Sequence, residues 1–372
     1  MEPNIDLIGL NGGQGIFAAR MQAEGRLDPN RMRPFIGKNG KAYYSVYKGG
    51  DIDDPANYKV VPAIGVNATL RRDEWKALDD VVVEVQKERI GGFDDLAANN
   101  LVYNLNNAMG TTVLEWHDIS SQLTAELSMD AVTRAKSDRP KFQFNYLPIP
   151  ILHVDYEIND RQLQTSRNSG NALDTTLAAE ATRTIRNALE DMLFTDTSYS
   201  YGEKDSRLRN TIYSYVNFPD RNQVTMATHW DDSSMTGKDI VDQIISLKKT
   251  LIAAKFYGPY QLYIPTDYET LMDQDYVGST PDSNANTTLR SRIMAIEGIK
   301  GMKVIDRLPA HNVLMIQMTS NVVRLVNGLG IQNVEWDAEG KFVHKFKVLT
   351  IQVPQLRSDQ EGNCGILHLA PA

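Results

Sequence analysis

The chain of 372 residues has a single cysteine, Cys364, and only six histidines, His117, His153, His229, His311, His344 and His368. One thiol excludes an internal disulfide and a cysteine-built zinc site, and it suits synthesis in a reducing cytoplasm. None of the histidines falls in an H-x-H or H-E-x-x-H spacing that would aim two imidazoles at one metal. There is no G-x-S-x-G elbow, and no catalytic signature surrounds Cys364, so its plain reading is a small buried residue in a terminal strand. The acid pairs Asp79–Asp80, Asp94–Asp95 and Asp231–Asp232 are sequence neighbours. Neighbours on a helix point in different directions, so Asp79 and Asp80 make no general-acid dyad. Gly9, Gly12, Gly13 and Gly15 cluster, but without the lysine and strand–loop–helix setting of a phosphate loop. Basic residues are outnumbered 39 to 47, a net charge of -8, which argues against a dedicated nucleic-acid binder while permitting a wall that surrounds nucleic acid. No apolar run approaches the roughly 20 residues that span a bilayer. No basic segment precedes an apolar block at the N-terminus, so neither membrane nor signal peptide is expected. Catalytic, cofactor-binding and metal residues are therefore all assigned as none, no cofactor is implied, and an enzyme is not expected.

What is present is ordinary soluble material: 42% apolar and 23% charged residues, enough for two or three domains. One stretch, Leu147 to Phe194, organises the rest. LPIPILHVDYEI places β-formers Ile149, Ile151, Val154, Tyr156 and Ile158 in partial alternation, and Pro148 and Pro150 predict entry at a sheet edge. NALDTTLAAEATRTIRNALEDMLF then repeats Leu177, Ala181, Ile185, Ala188 and Met192 at helical spacing. That predicts a helix of roughly five turns lying flat on a sheet, with Asn171 or Asp174 capping its start.

Before it, residues 1 to about 60 read as an arm without its own core, with KAYYSVYKGG adding one strand. TLRRDEWKALDDVVVEVQKERI predicts an amphipathic helix with stripe Trp75, Leu78, Val82 and Val85, stopped by Gly91 and Gly92. Residues 111–144 read as an extended hairpin, poor in core residues, with a basic cluster of Arg134, Lys136, Arg139 and Lys141 near its tip. After it, NTIYSYVNF is a strand candidate and DIVDQIISLKKTLIAA a helix with Ile240, Ile244, Leu247 and Leu251 inward. YGPYQLYIP is turn plus strand, TDYETLMDQDY a short helix, and GSTPDSNANTT an exposed loop. Alternating helix and strand pieces lead to the long strand candidates VVRLVNGLGIQNVEW and KFVHKFKVLTIQVPQL, and GILHLAPA closes the chain.

The order of these pieces (the DEWKALDD helix, the hairpin, LPIPILHVDYEI, a long helix ending EDMLF, a helix followed by YGPYQLYIP, and the returning TIQVPQL) resembles encapsulin shell proteins and tailed-phage major capsid proteins. The resemblance covers about Thr69 to Leu369 and implies an α+β fold of the Hong Kong 97 type. It implies an N-terminal arm at 1–68, an N-terminal helix region at 69–110 and an E-loop at 111–147. A P-domain with a long spine helix would follow at 148–235, completed by 341–372, and an A-domain at 236–340. The implied function is a major capsid protein that self-assembles into the icosahedral head of a tailed bacteriophage around double-stranded DNA. Its partners would be copies of itself in pentamers and hexamers, with possible decoration, scaffolding and portal proteins and non-specific proximity to packaged DNA. It would be made in the host cytoplasm and reside in the virion. An encapsulin compartment enclosing an enzyme cargo is the alternative, although the arm before the first helix departs from encapsulins. A soluble enzyme with no recognisable site is a third reading. Some shell proteins link lysine to asparagine between subunits beside a carboxylate. Lys136 or Lys141 with Asn363 and Glu361 supply those residue types here, without a spacing that singles them out.

Overall fold

The computed structural model describes residues 35–37, 40–47, 58–62, 70–86, 91–119, 142–169, 174–202, 210–276, 287–339, 342–359 and 361–371. In chain order the elements begin with β1 (Phe35–Ile36), β2 (Ala42–Tyr47), β3 (Tyr58–Pro62), α1 (Arg72–Gln86), α2 (Gly92–Ala98), β4 (Val102–Asn104), β5 (Val113–Ile119) and β6 (Phe142–Pro148). They continue with β7 (Leu152–Asn159), α3 (Asp160–Ser169), α4 (Thr176–Phe194), β8 (Tyr199–Tyr201), β9 (Asn210–Ile212) and β10 (Asn222–Met226). The remainder are α5 (Gly237–Ala253), β11 (Tyr260–Ile264), α6 (Leu289–Met294), β12 (Ile299–Val304), β13 (Val313–Gln317), β14 (Val323–Glu339), β15 (Val343–Leu356) and β16 (Ile366–Pro371).

Two sheets carry the architecture. One has the order β4-β14-β15-β7, built on the long antiparallel β14–β15 ladder. The other has the order β10-β16-β13-β11-β12 and mixes parallel with antiparallel pairs. As the two prolines predict, β7 is an edge strand, hydrogen-bonded among the described strands to β15 alone. The stretch is not one continuous strand, however. Pro148 ends β6 and β7 starts at Leu152, so Pro148–Ile151 is a bend that turns the hairpin into the sheet, with Ile149 buried and Ile151 exposed. Two prolines within three residues remove two ladder donors, which is why the pairing breaks there.

Helix α4 bridges the sheets. It packs on β7 and β15 along its length, and its last residue, Phe194, meets Tyr263 of the other sheet with ring centroids 5.0 Å apart. The buried face is Ala178, Ala181, Ile185, Leu189, Leu193 and Phe194, rotated about one residue from the expected stripe. Leu177 is 51% exposed, and Ala188 and Met192 are only half-buried. The same periodicity fits both stripes; the larger Leu189 and Leu193 win, each contributing about 1.5–3 kcal/mol of burial. Asp174 accepts the backbone N–H and hydroxyl of Thr176, which holds its carboxyl below the usual range. Asn171 lies outside the described residues.

Trp75, Leu78 and Val82 of α1 are buried as expected; the side chain of Val85 is outside the described set. Helix α1 is described as far as Gln86, and residues 87–90, on which the expected stop bears, lie outside the described residues. Gly91 and Gly92 open α2, with Gly91 as its N-cap. Gly92 is required there because a Cβ would sit 2.4 Å from the Phe194 ring. Helix α5 starts with a capping box between Thr236 and Asp239 and buries Ile240, Ile244, Leu247 and Leu251 against its sheet. The expected helix over TDYETLMDQDY is instead two 3-10 turns, Thr266–Tyr268 and Leu271–Asp273. The candidate strand NTIYSYVNF shrinks to Asn210–Ile212, after which Ser214 N donates to Asn217 Oδ1 at 2.7 Å in a turn. The arm supplies three short strands rather than one, ordered β1-β2-β3. The GSTPDSNANTT loop, except Thr287 and Thr288, lies outside the described residues.

Candidate functional site

With no reaction centre suggested by sequence, the candidate functional surfaces are those the chain does not cover itself. Val113–Ile119 and Phe142–Pro148 form a two-stranded antiparallel ladder, matching the expected hairpin. Its base is anchored: Leu147 and Ile149 are buried with Leu105, Val326, Leu349, Ile351 and Val353 on the face of the four-stranded sheet away from α4, and Leu114 and Trp116 pack alongside. Away from the base, Phe144 is 56% exposed, with the His117 ring edge-on at 4.6 Å. Tyr199 and Tyr201 of β8 are also about half exposed. Beside this aromatic surface lies a cavity of about 310 Å³, walled by Trp116, Tyr146, Tyr213, Phe218 and Pro354, with Arg357 at its lining. The basic cluster Arg134, Lys136, Arg139 and Lys141 lies outside the described residues.

Among the described residues, β1 joins the three-stranded sheet to the body. Ile36 N donates to Leu70 O at 3.0 Å, Ile36 bridges Arg71, and Phe35 packs at the margin of the main core. Phe35, Ile36, Ala42 and Tyr43 are half-buried and Lys41 is exposed. On the second sheet, α5 turns Ile245 and Ile252 outward, and Tyr257 beyond it is 70% exposed.

The histidines have structural settings. His117 and His153 are exposed on strands, His153 lying 3.6 Å from Asp155. Buried His344 approaches Asp160 at 3.4 Å. His368 is buried with Nε2 2.6 Å from Asn312 Oδ1, and Arg221 Nε donates to its Nδ1 at 3.3 Å. Burial, then the Arg221 charge, lowers its pKa to about 4. Nothing in the sequence spacing signals that His229 and His311 meet, with ring centroids 4.2 Å apart and planes tilted by 49°, His311 Nδ1 lying 3.1 Å from the Tyr268 hydroxyl. Only the sheet order brings those two loops to one end of the strands. Among the described residues no group of three or more His, Cys, Asp or Glu is placed to hold a metal.

Cys364 is buried and donates to Arg357 O at 3.3 Å; burial pushes its thiol up to about 12, far from a reactive thiolate. Asp79 and Asp80 share a helix without meeting in a dyad, Asp232 is occupied by Ser234, and Asp231 lies 3.8 Å from His311. Asn363 Nδ2 donates to Asp359 at 3.0 Å and to Glu361 at 3.4 Å. Its candidate partners Lys136 and Lys141 are not among the described residues.

The backbone is similar to that of solved shell structures. The capsid of Myoviridae phage XM1 matches with a TM-score of 0.56 at 10% identity, over 76% of this chain and 92% of that one. A virus-like particle from Pyrococcus furiosus matches at 0.53 and 16% identity, over 79% and 98%. A chain from Mycobacterium phage Bobi matches at 0.50 and 12% identity, over 74% and 90%. No curated protein matches the chain in sequence. A bridging helix between two sheets, with a hairpin running off one of them, is the Hong Kong 97-type capsid fold, as the order of elements in the sequence implies. Within that fold class the chain belongs to the family of unknown function DUF6260, whose model matches residues 64–369.

Proposed function

We propose that this protein is the major capsid protein of a tailed bacteriophage, a structural subunit that assembles with copies of itself into an icosahedral head around double-stranded DNA. The observation that carries this reading is the backbone match to nearly the whole XM1 capsid chain, 92% of it. The uncovered surfaces support it. An exposed Phe144 on a projecting ladder and an arm fastened through Ile36 are costly in a lone subunit and become favourable when neighbouring copies cover them. Many weak contacts of that kind, repeated around a closed shell, give a stable assembly without any single strong one.

In this reading residues 1–68 are the arm, 69–110 the N-terminal helix region and 111–147 the E-loop. Residues 148–235, with α4 as the spine and 341–372 returning, form the P-domain, and 236–340 the A-domain; β10 and β16 extend the A-domain sheet. The subunit is not an enzyme, is made in the host cytoplasm and ends in the virion. Pentamers and hexamers of the chain build the wall, with portal, scaffolding and decoration proteins as further partners. An acidic subunit of net charge -8 keeps packaged DNA from adhering to that wall.

The second reading, an encapsulin-type compartment with an enzyme cargo, is favoured by the 98% coverage of the P. furiosus particle chain. The long arm before α1 weighs against it. Sedimentation of the purified protein, followed by analysis of what co-sediments, separates the readings. A fast-sedimenting species that protects viral DNA from nuclease when made in infected cells supports the phage head. Co-purification of one folded cargo protein with no DNA supports the compartment, and a stable monomer or dimer under all conditions defeats both.

A further inference from the structure

Where α4 ends and the two sheets meet, several charged groups are buried together. Glu190 is 3% exposed, and its Oε1 accepts the N–H groups of Gly92 at 2.9 Å and Phe93 at 3.4 Å. Among the described residues its Oε2 has no hydrogen-bond partner, nor has the buried hydroxyl of Tyr215. One turn earlier on α4, Arg186 reaches Asp94 at 3.2 Å. On the other side of α2, Asp95 accepts the Tyr263 hydroxyl of β11 at 3.1 Å and ion-pairs with Lys303 of β12. Leu325 of β14 donates to Leu101 O at 2.7 Å just beyond α2. Thus α2 is a bracket: Asp95 fastens it to one sheet, Leu101 to the other, and Glu190 to the helix that spans both.

We propose that Glu190 is a proton-operated latch, fastening α2 to the end of α4 when protonated and loosening this joint between the sheets when ionised. A buried carboxylate with one oxygen unpaired loses its hydration without full replacement, whereas the neutral acid does not. The groups facing it sharpen the effect. Asp94 and Asp95 on α2 repel its charge, Tyr215 and Tyr263 are neutral, and Lys303 is engaged with Asp95. Arg186 on α4 attracts the charge but also holds Asp94. Burial raises the Glu190 carboxyl from its ordinary 4.5 to about 7, against the pull of the two amides and Arg186. Burial also raises Asp95, against the pull of Lys303.

The sign follows from linkage. The closed joint binds the proton more tightly than the open one, so fastening is complete below about 4.5 and is lost as pH rises to about 7. Opening should grow roughly tenfold per pH unit across that window, a few hundred-fold in all, and then level off. The inference rests on the fold and not on shell assembly, so either can fail without the other.

Hydrogen exchange of the full-length protein from pH 5 to 8, corrected for the intrinsic pH dependence of exchange, reads the joint directly. Protection of residues 91–101 should fall roughly tenfold per unit up to about pH 7, a fall that α5 does not share. Glu190→Gln should flatten that profile, and Lys303→Met, which strips Asp95 of its cation, should leave it in place. A flat wild-type profile overturns the proposal whatever the variants do. So does a fall that persists in Glu190→Gln, or one that moves with Lys303→Met and thereby assigns the proton to Asp95.

Discussion

Replacing Gly92 with alanine tests the packing where α2, α4 and both sheets converge. The added methyl would lie 2.4 Å from Cε2 and 2.8 Å from Cζ of Phe194, and 3.0 Å from Glu190 Oε2. Ordinary carbon–carbon contact needs about 3.5–4.0 Å, so the ring must withdraw by roughly an ångström. It has nowhere to go. Phe194 is wholly buried, with Tyr215 at 5.6 Å and Tyr263 at 5.0 Å between ring centroids. Overpacking of this kind costs about 1–3 kcal/mol, and the better helix propensity of alanine recovers less than about 1 kcal/mol. Urea unfolding of the soluble subunit should show a lowered midpoint with an unchanged slope. Phe194→Leu alone should also destabilise, but the double variant should be more stable than the two single effects predict, because the smaller side chain vacates the clash. Gly92→Ala equal to or more stable than the parent, or strict additivity in the double variant, would refute the reasoning.

Four further outcomes are expected. Leu189→Ala should cost about 2–5 kcal/mol by calorimetry and Leu177→Ala less than about 0.5, since one is buried and the other half exposed. Glu74 receives Arg167 through two bonds of 2.7 Å and also accepts Arg71 N, so Glu74→Ala should cost about 1.5–3 kcal/mol in urea unfolding through loss of these charge-assisted bonds. Thr236→Ala removes one side of the capping box of α5 and should cost about 1 kcal/mol, with exchange rising first at Asp239. His368, held near 4 by burial, contributes stability that is complete above its ordinary 6.5 and is lost as pH falls to about 4. This slope opposes that of Glu190, so thermal scans of Glu190→Gln should show stability rising with pH from about 4 to 6.5 more steeply than in the parent.

Periodicity made much of this legible. Ile240, Ile244, Leu247 and Leu251 recur at steps of four and three and fall on one helical face, which is the buried one, while Ile245 and Ile252 on the other side stay exposed. The stripe of α4 was ambiguous by one residue, since Leu177, Ala181, Ile185 and Ala188 and the buried Ala178, Ala181, Ile185 and Leu189 both recur at steps of three and four, and tertiary packing made the choice. The pair Gly91–Gly92 reads as a helix stop by local rules; that Gly92 must also leave room for the ring of Phe194, a hundred residues away, is something no local rule sees. The Glu190 cluster was invisible for the same reason. Its members come from α2, α4, β11, β12 and the turn after β9, and nothing in RNALEDMLF distinguishes a buried glutamate from a solvated one. The basic hairpin tip and the GSTPDSNANTT loop lie outside the described residues.

Electron cryomicroscopy of the purified full-length protein bears most directly on assembly. Closed icosahedral particles are expected, with α4 and the two sheets recognisable in every subunit and neighbouring copies covering Phe144 of the hairpin and Ile36 of the arm. Preparations holding only monomers or dimers across salt, pH and concentration, with those same residues packed onto their own chain, would contradict it.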